Sequence, residues 1–109
     1  MVVEFESFYI KQGDTLPIIK ATLTDAAGVP IDLTGTTVRL LTAWGLSAVA
    51  AFTNPPGVDG KIQYAWAVGN TDAPPGIYNG EFEVDWGGGA KQTVPNDSHI
   101  KIHIVEDLG

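Results

Sequence analysis

Pro75-Gly-Ile-Tyr-Asn-Gly-Glu-Phe-Glu-Val-Asp-Trp86 decides the fold class. A Pro-Gly turn opens into a run in which Phe82, Val84 and Trp86 alternate with Glu81, Glu83 and Asp85. Successive side chains on a strand point to opposite faces, so the run predicts a strand with the three apolar residues in a core and the three carboxylates in water.

Working outward, the same grammar recurs. Gly87-Gly88-Gly89 reads as a flexible hairpin tip, and His99-Ile-Lys-Ile-His-Ile-Val105 as a last strand with Ile100, Ile102 and Ile104 on one face. Upstream, an Asp59-Gly60 turn leads to a run with Ile62, Tyr64 and Trp66 inward. Residues 36–42 are rich in β-branched side chains, and Asp25-Ala-Ala-Gly28 is a hairpin turn leading into 29–33. Residues 16–24 place Ile19, Ala21 and Leu23 against Lys20, Thr22 and Thr24, with Pro17 at the start, where no ladder donor is needed. Phe8 to Gln12 forms the first run, closed by Gly13-Asp14.

One segment fits two readings. Leu41, Trp44, Ala48 and Phe52 fall near helical spacing, and the alanines around them suit a short helix. The reading adopted is a strand, a loop around Gly45 and a second strand over 48–53, closed by Asn54-Pro-Pro-Gly57; the helix is the alternative. About seven or eight short strands with frequent turns and no long helical stretch predict an all-β fold, an antiparallel β-sandwich spanning 1–109 as one domain.

Composition bounds the function. A chain of 109 residues has room for one core, and 44% hydrophobic against 17% charged residues lets it fold without metal or disulfide staples. Having no cysteine, it has no thiolate metal site and no cysteine nucleophile. Thirteen acidic against 6 basic residues give net charge −7, which repels phosphate backbones and anionic lipids, so neither nucleic acid nor membrane is an expected partner. Residues 1–7 lack the basic and apolar regions of a secretory signal, and no stretch nears the roughly 18 apolar residues of a membrane span. Synthesis in the cytoplasm is expected.

Chemistry-bearing patterns are sparse. His99 and His103 share a strand face about 13 Å apart, too far for one metal. Glu81, Glu83 and Asp85 are spaced by about 6.5–7 Å, a separation glycosidases use, yet nothing apolar surrounds them to raise a carboxyl pKa. Asp14, Asp25, Asp32, Asp59, Asp72 and Asp97 sit at turns, where aspartate tightens the backbone. Ser7, Ser47 and Ser98 lack a nucleophile elbow, and Gly87 to Gly89 lacks the lysine of a phosphate loop. Tyr9, Tyr78 or Trp44, if exposed, could stack on a sugar ring. The expectation is no catalytic residue, no metal, no cofactor and no small-molecule ligand.

Lys11-Gln-Gly-Asp-Thr-Leu-Pro17, Lys20-Ala-Thr-Leu-Thr-Asp25, Gly28-Val-Pro-Ile-Asp-Leu-Thr-Gly35 and Val38-Arg-Leu resemble, in this order, the N-terminal immunoglobulin-like domain of phage baseplate upper proteins. Gly60-Lys-Ile-Gln-Tyr-Ala-Trp66, Thr71-Asp72, Pro75-Gly-Ile-Tyr78, Glu81-Phe-Glu-Val84, Gly89, Thr93-Val-Pro95 and Ile100-Lys-Ile-His-Ile104 continue the resemblance. Residues 43–52 depart from it by being apolar and alanine-rich. The resemblance implies a non-enzymatic tail or baseplate component of a virion, partnered by other virion proteins or by copies of itself, and made in the host cytoplasm.

Contact through strand edges and loops would follow, with Trp44, Leu46, Val49 and Phe52 and the loop prolines Pro55 and Pro74 as candidate interface residues. The competing expectation is that Trp44, Leu46 and Phe52 fill one end of the core. A carbohydrate-binding or adhesin-like sandwich is the alternative function, since sandwiches host many.

Overall fold

The computed structural model describes residues 2–3, 7–95 and 99–108; Asp97 and Ser98 lie outside the described residues. Among the described residues ten strands follow one another: β1 (Val2–Val3), β2 (Ser7–Lys11), β3 (Ile19–Thr24), β4 (Thr37–Thr42), β5 (Ser47–Val49), β6 (Ala51–Phe52), β7 (Lys61–Tyr64), β8 (Gly76–Gly87), β9 (Ala90–Val94) and β10 (Ile100–Val105). They form a four-stranded sheet, β1-β3-β7-β6, and a six-stranded sheet, β2-β10-β8-β4-β5, with β9 paired to β8. Inward residues of both sheets, Ile19, Leu23 and Ile62 from one and Leu40, Phe82, Val84 and Ile102 from the other, meet in one buried apolar cluster. The all-β, two-sheet architecture predicted by alternation is therefore the fold.

β8 organises the larger sheet. Its first residues pair with β10, from Gly76↔Ile104 to Gly80↔Ile100, and its later ones with β9, from Phe82↔Val94 to Gly87↔Ala90. Its other side carries β4 over Gly80 to Asp85. The handover from β10 to β9 falls at Gly80, where a Cβ would lie 2.7 Å from Ile102 Cδ1 and 3.1 Å from Ile100 Cγ1. Glycine leaves room there for the isoleucines to close over the strand.

Three features depart from the expectations. Trp86 does not join Phe82 and Val84 inside; it is 40% exposed. The β8–β9 register shifts between Asp85 and Gly87, and the Asp85 carboxylate accepts the Gly87 N–H at 2.9 Å, so Trp86 falls in an irregularity that breaks the alternation. β2 pairs with β10 in parallel, while the other strand pairs among the described residues are antiparallel. Residues 29–33 contribute an isolated bridge, Thr24↔Pro30, in place of a strand.

The ambiguous segment is strand, turn and strand. Gly45 N–H donates to Thr42 C=O at 3.0 Å and closes the turn. β5 then pairs with β4 in the larger sheet and β6 with β7 in the smaller. Ala50, between them, is buried with its N–H donated to Val38 C=O at 2.8 Å. The chain thus passes at Ala50 from the end strand of one sheet to the end strand of the other, and Trp44, Leu46 and Phe52 of this segment pack against the core.

Turn aspartates do what their positions suggest. Asp32 accepts the Thr34 N–H at 3.0 Å and its hydroxyl at 2.6 Å, and Asp59 accepts Asn54 Nδ2 at 2.8 Å and the Lys61 N–H at 3.1 Å. These bonds, the Thr34 hydroxyl foremost for Asp32 and the Asn54 amide for Asp59, favour the charged form and hold both carboxyls below the ordinary aspartate value of 3.8. A folded-state pKa below the unfolded one means stabilisation that is complete above about pH 4 and lost as pH falls through the lowered values. The double variant Asp32→Asn, Asp59→Asn is expected to show a shallower fall of melting temperature than the parent between about pH 4 and 2. Parallel curves in a thermal-melt pH series would refute this.

Candidate interaction surfaces

The residues proposed for chemistry are each held by a structural partner. Glu81 lies 3.7 Å from His99 Nε2, Glu83 lies 3.9 Å from Lys91 Nζ, and Asp85 closes the bulge. Glu81 and His99 border an open recess of about 250 Å³ with Leu41, Thr42, Ala43, Asn79 and Gly80. Glu83 and Asp85 continue along the strand away from it. His103 stacks on Tyr9, ring centroids 4.1 Å apart, so the two histidines have separate surroundings. Among the described residues, no group of three or more His, Asp or Glu side chains is placed to hold a metal ion. None of their helices is long and apolar enough to cross a membrane.

The sequence-predicted contact residues divide into two sets. Trp44, Leu46 and Phe52 are half-buried and packed on the core. The Trp44 indole N–H donates to Asn70 C=O at 2.9 Å, and its ring meets Tyr78 edge-on at 5.1 Å and Trp66 at 6.2 Å. Asn70 ties this end together, since its side-chain oxygen also accepts the Tyr64 hydroxyl at 2.6 Å and the Ala67 N–H at 2.7 Å. Val49, Pro55 and Pro74 are exposed. Of the aromatics considered for stacking on a sugar, Tyr78 is engaged through its hydroxyl with Pro74 C=O at 2.6 Å, and Tyr9 is the exposed one at 59%.

A second surface is assembled by strand pairing alone. Cross-strand register places Tyr9 of β2 beside His103 of β10, and His103 beside Ile77 of β8, on the outer face of the six-stranded sheet. Ile77 is 66% exposed. Beyond them, Tyr9, Leu16, Pro17 and Val105 line an open groove of about 210 Å³ with Ile10, Lys11 and Asp14. Leu16 is 69% and Val105 41% exposed, so an apolar patch runs across the outer face to the edge formed by β2. The available signal was the alternation of the deciding stretch, which, extended backward, puts Ile77 on the outer face with Glu81. The parallel β2–β10 pairing that brings Tyr9 beside it joins residues about ninety apart and leaves no local trace.

Two sheets closed over one apolar core, with apolar side chains displayed at an edge strand, define an all-β sandwich whose distinguishing feature is a surface. Comparison of the chain with models of known protein families and with curated protein sequences finds no match.

Proposed function

We propose that the chain is an immunoglobulin-like domain serving as a non-enzymatic structural or adaptor component of a phage tail or baseplate, acting through protein–protein contacts. The observation that supports this reading is the exposed apolar patch of Tyr9, Leu16, Ile77 and Val105 reaching the β2 edge. Contiguous exposed apolar surface marks interaction sites, and an edge strand offers backbone groups that an extended arm can complete. The ordered motifs from Lys11 to Ile104 that resemble baseplate upper proteins supply the virion context. Repetition of subunits about a tail axis would let modest contacts add up.

The test is co-expression with the proteins encoded by the genes flanking this one. A stoichiometric complex with a tail protein, stable through size-exclusion chromatography, is the expected result. Flanking genes without virion proteins would overturn it. The second reading, a glycan-binding sandwich, is favoured by the exposed Tyr9–His103 stack, since sugar rings pack on open aromatic faces. It predicts glycan-array binding that is lost in Tyr9→Ala and insensitive to the presence of any tail protein.

A further inference from the structure

We infer that β2 is a self-pairing edge, through which two copies of this chain join their six-stranded sheets by antiparallel β2–β2 pairing about a two-fold axis at Tyr9. The inference rests on the scaffold reading and names the partner of its patch.

The backbone of β2 is split between its two sides. Gln12 N–H donates to Val105 C=O at 2.8 Å, while Lys11 is the register partner of Val105. In a parallel ladder alternate residues bond to the same neighbour, so Phe8, Ile10 and Gln12 turn their backbone groups toward β10. Ser7 and Tyr9 turn both theirs to the open edge and Lys11 its N–H, the Lys11 carbonyl being taken by Asp14 N–H at 3.0 Å in the following turn. β2 is five residues long, with no proline and no bulge in its pairing, whereas the edge strands β1 and β6 have two residues each and β5 three, and β9, also five residues and paired to β8 alone, carries the irregularity opposite Asp85 and Gly87. Of the usual protections of an edge it has one, the charge of Lys11 at its C-terminal end.

Three properties favour a second copy as the occupant. Pairing about Tyr9 sets Phe8 against Ile10 of the copy on the inner face, continuing apolar packing across the junction. On the outer face it sets Tyr9 against its counterpart, so the stripe Ile77–His103–Tyr9 becomes one uninterrupted row through both molecules. Charge points the same way: Lys11 falls opposite the neutral Ser7. The outer-face residues of β2 and β10 (Ser7, Tyr9, Lys11, Lys101, His103 and Val105) include no carboxylate, on a chain of net charge −7. Two copies approaching at this face bring no carboxylates of these two strands together, and the carboxylate that lines the groove, Asp14, lies beyond Lys11. An isologous contact of this kind closes on itself and gives a dimer.

The test exploits the split backbone. Tyr9→Pro removes an N–H that β10 does not use and leaves the Phe8, Ile10 and Gln12 bonds in place, which an edge strand tolerates. Analytical ultracentrifugation of the parent chain is expected to give twice the 11.5 kDa chain mass. Tyr9→Pro is expected to raise the dimer dissociation constant by at least about 30-fold and, at a concentration where the parent too is monomeric, to melt below it only by the small loss of the Tyr9–His103 stack. A monomeric parent at about 100 μM, far above a micromolar dissociation constant, overturns the inference. So does a dimer that Tyr9→Pro leaves intact. Should Tyr9→Pro unfold the chain, Tyr9→Cys decides. Directly opposed residues of a hydrogen-bonded antiparallel pair have Cα and Cβ atoms about 5.5 Å apart, so a short bifunctional thiol reagent bridges the two introduced thiols, in a chain with no other cysteine. Rapid cross-linking is expected, and cross-linking no faster than in an exposed Val58→Cys control overturns the proposal. A monomeric parent that still forms a complex with tail proteins would remove self-pairing and leave the scaffold reading standing.

Discussion

Phe82→Ala is expected to lower the free energy of unfolding by about 3–5 kcal/mol, the range for truncating a phenylalanine in a packed interior. Phe82 is 1% exposed, with Leu40 on one register side and Val94 on the other. Neither neighbour can move into the void without leaving its own ladder. Urea denaturation followed by tryptophan fluorescence measures the change. The adjacent Glu83→Ala, which removes a long ion pair to Lys91 at the surface, is expected to cost less than about 1 kcal/mol. A Phe82→Ala loss as small as that of Glu83→Ala would show that the deciding stretch faces the other way, since a one-residue slip exchanges the two faces of a strand.

Trp44→Asp is expected to destabilise the chain by about 3 kcal/mol or more, by combining truncation of a large aromatic with a carboxylate placed against apolar surface. It removes the edge-on contact with Tyr78 and the contact with Trp66, and it leaves the Asn70 carbonyl without its indole donor. The expected result is a lower melting temperature with dimerisation changed no more than unfolding requires. The opposite pattern, an unchanged melt with lost self-association, would make Trp44 an interface residue and move the contact surface away from β2. Paired with Tyr9→Pro, the variant separates a residue that holds the aromatic end of the core from one that presents the edge.

Much of the fold was legible because alternation is a local property. Ile19, Ala21 and Leu23, then Ile62 and Trp66, then Phe82 and Val84, then Ile100, Ile102 and Ile104 all read as inward and are all buried. Turns were legible for a related reason: Asp59 accepts the Lys61 N–H two residues on, and Gly60 takes a φ of +71° that favours glycine, whereas the approach of Gly60 to the Leu23 carbonyl is a tertiary contact. β9 was not marked as a strand of its own because Ala90-Lys-Gln-Thr-Val94 carries little apolar alternation; β8 recruits it through the glycine tip. The candidate contact residues around Trp44 were drawn to attention by apolar character outside any alternation. Residues 49–52 of that segment pass between the sheets, where no single strand period holds.

By itself, the sequence determined the secondary-structure class, the inward faces, the turn chemistry and the acidic, cysteine-free character that disfavours nucleic-acid and anionic-membrane partners. It could do so because each depends on residues a few positions apart. Only the tertiary structure decided that Trp86 leaves the core, that residues 47–52 serve both sheets, and that Tyr9, His103 and Ile77 form one outer row ending at an open edge. Those outcomes depend on which strands pair and in what register. Pairing is settled by the fit of a whole core, in which β2 and β10, at opposite ends of the chain, become neighbours.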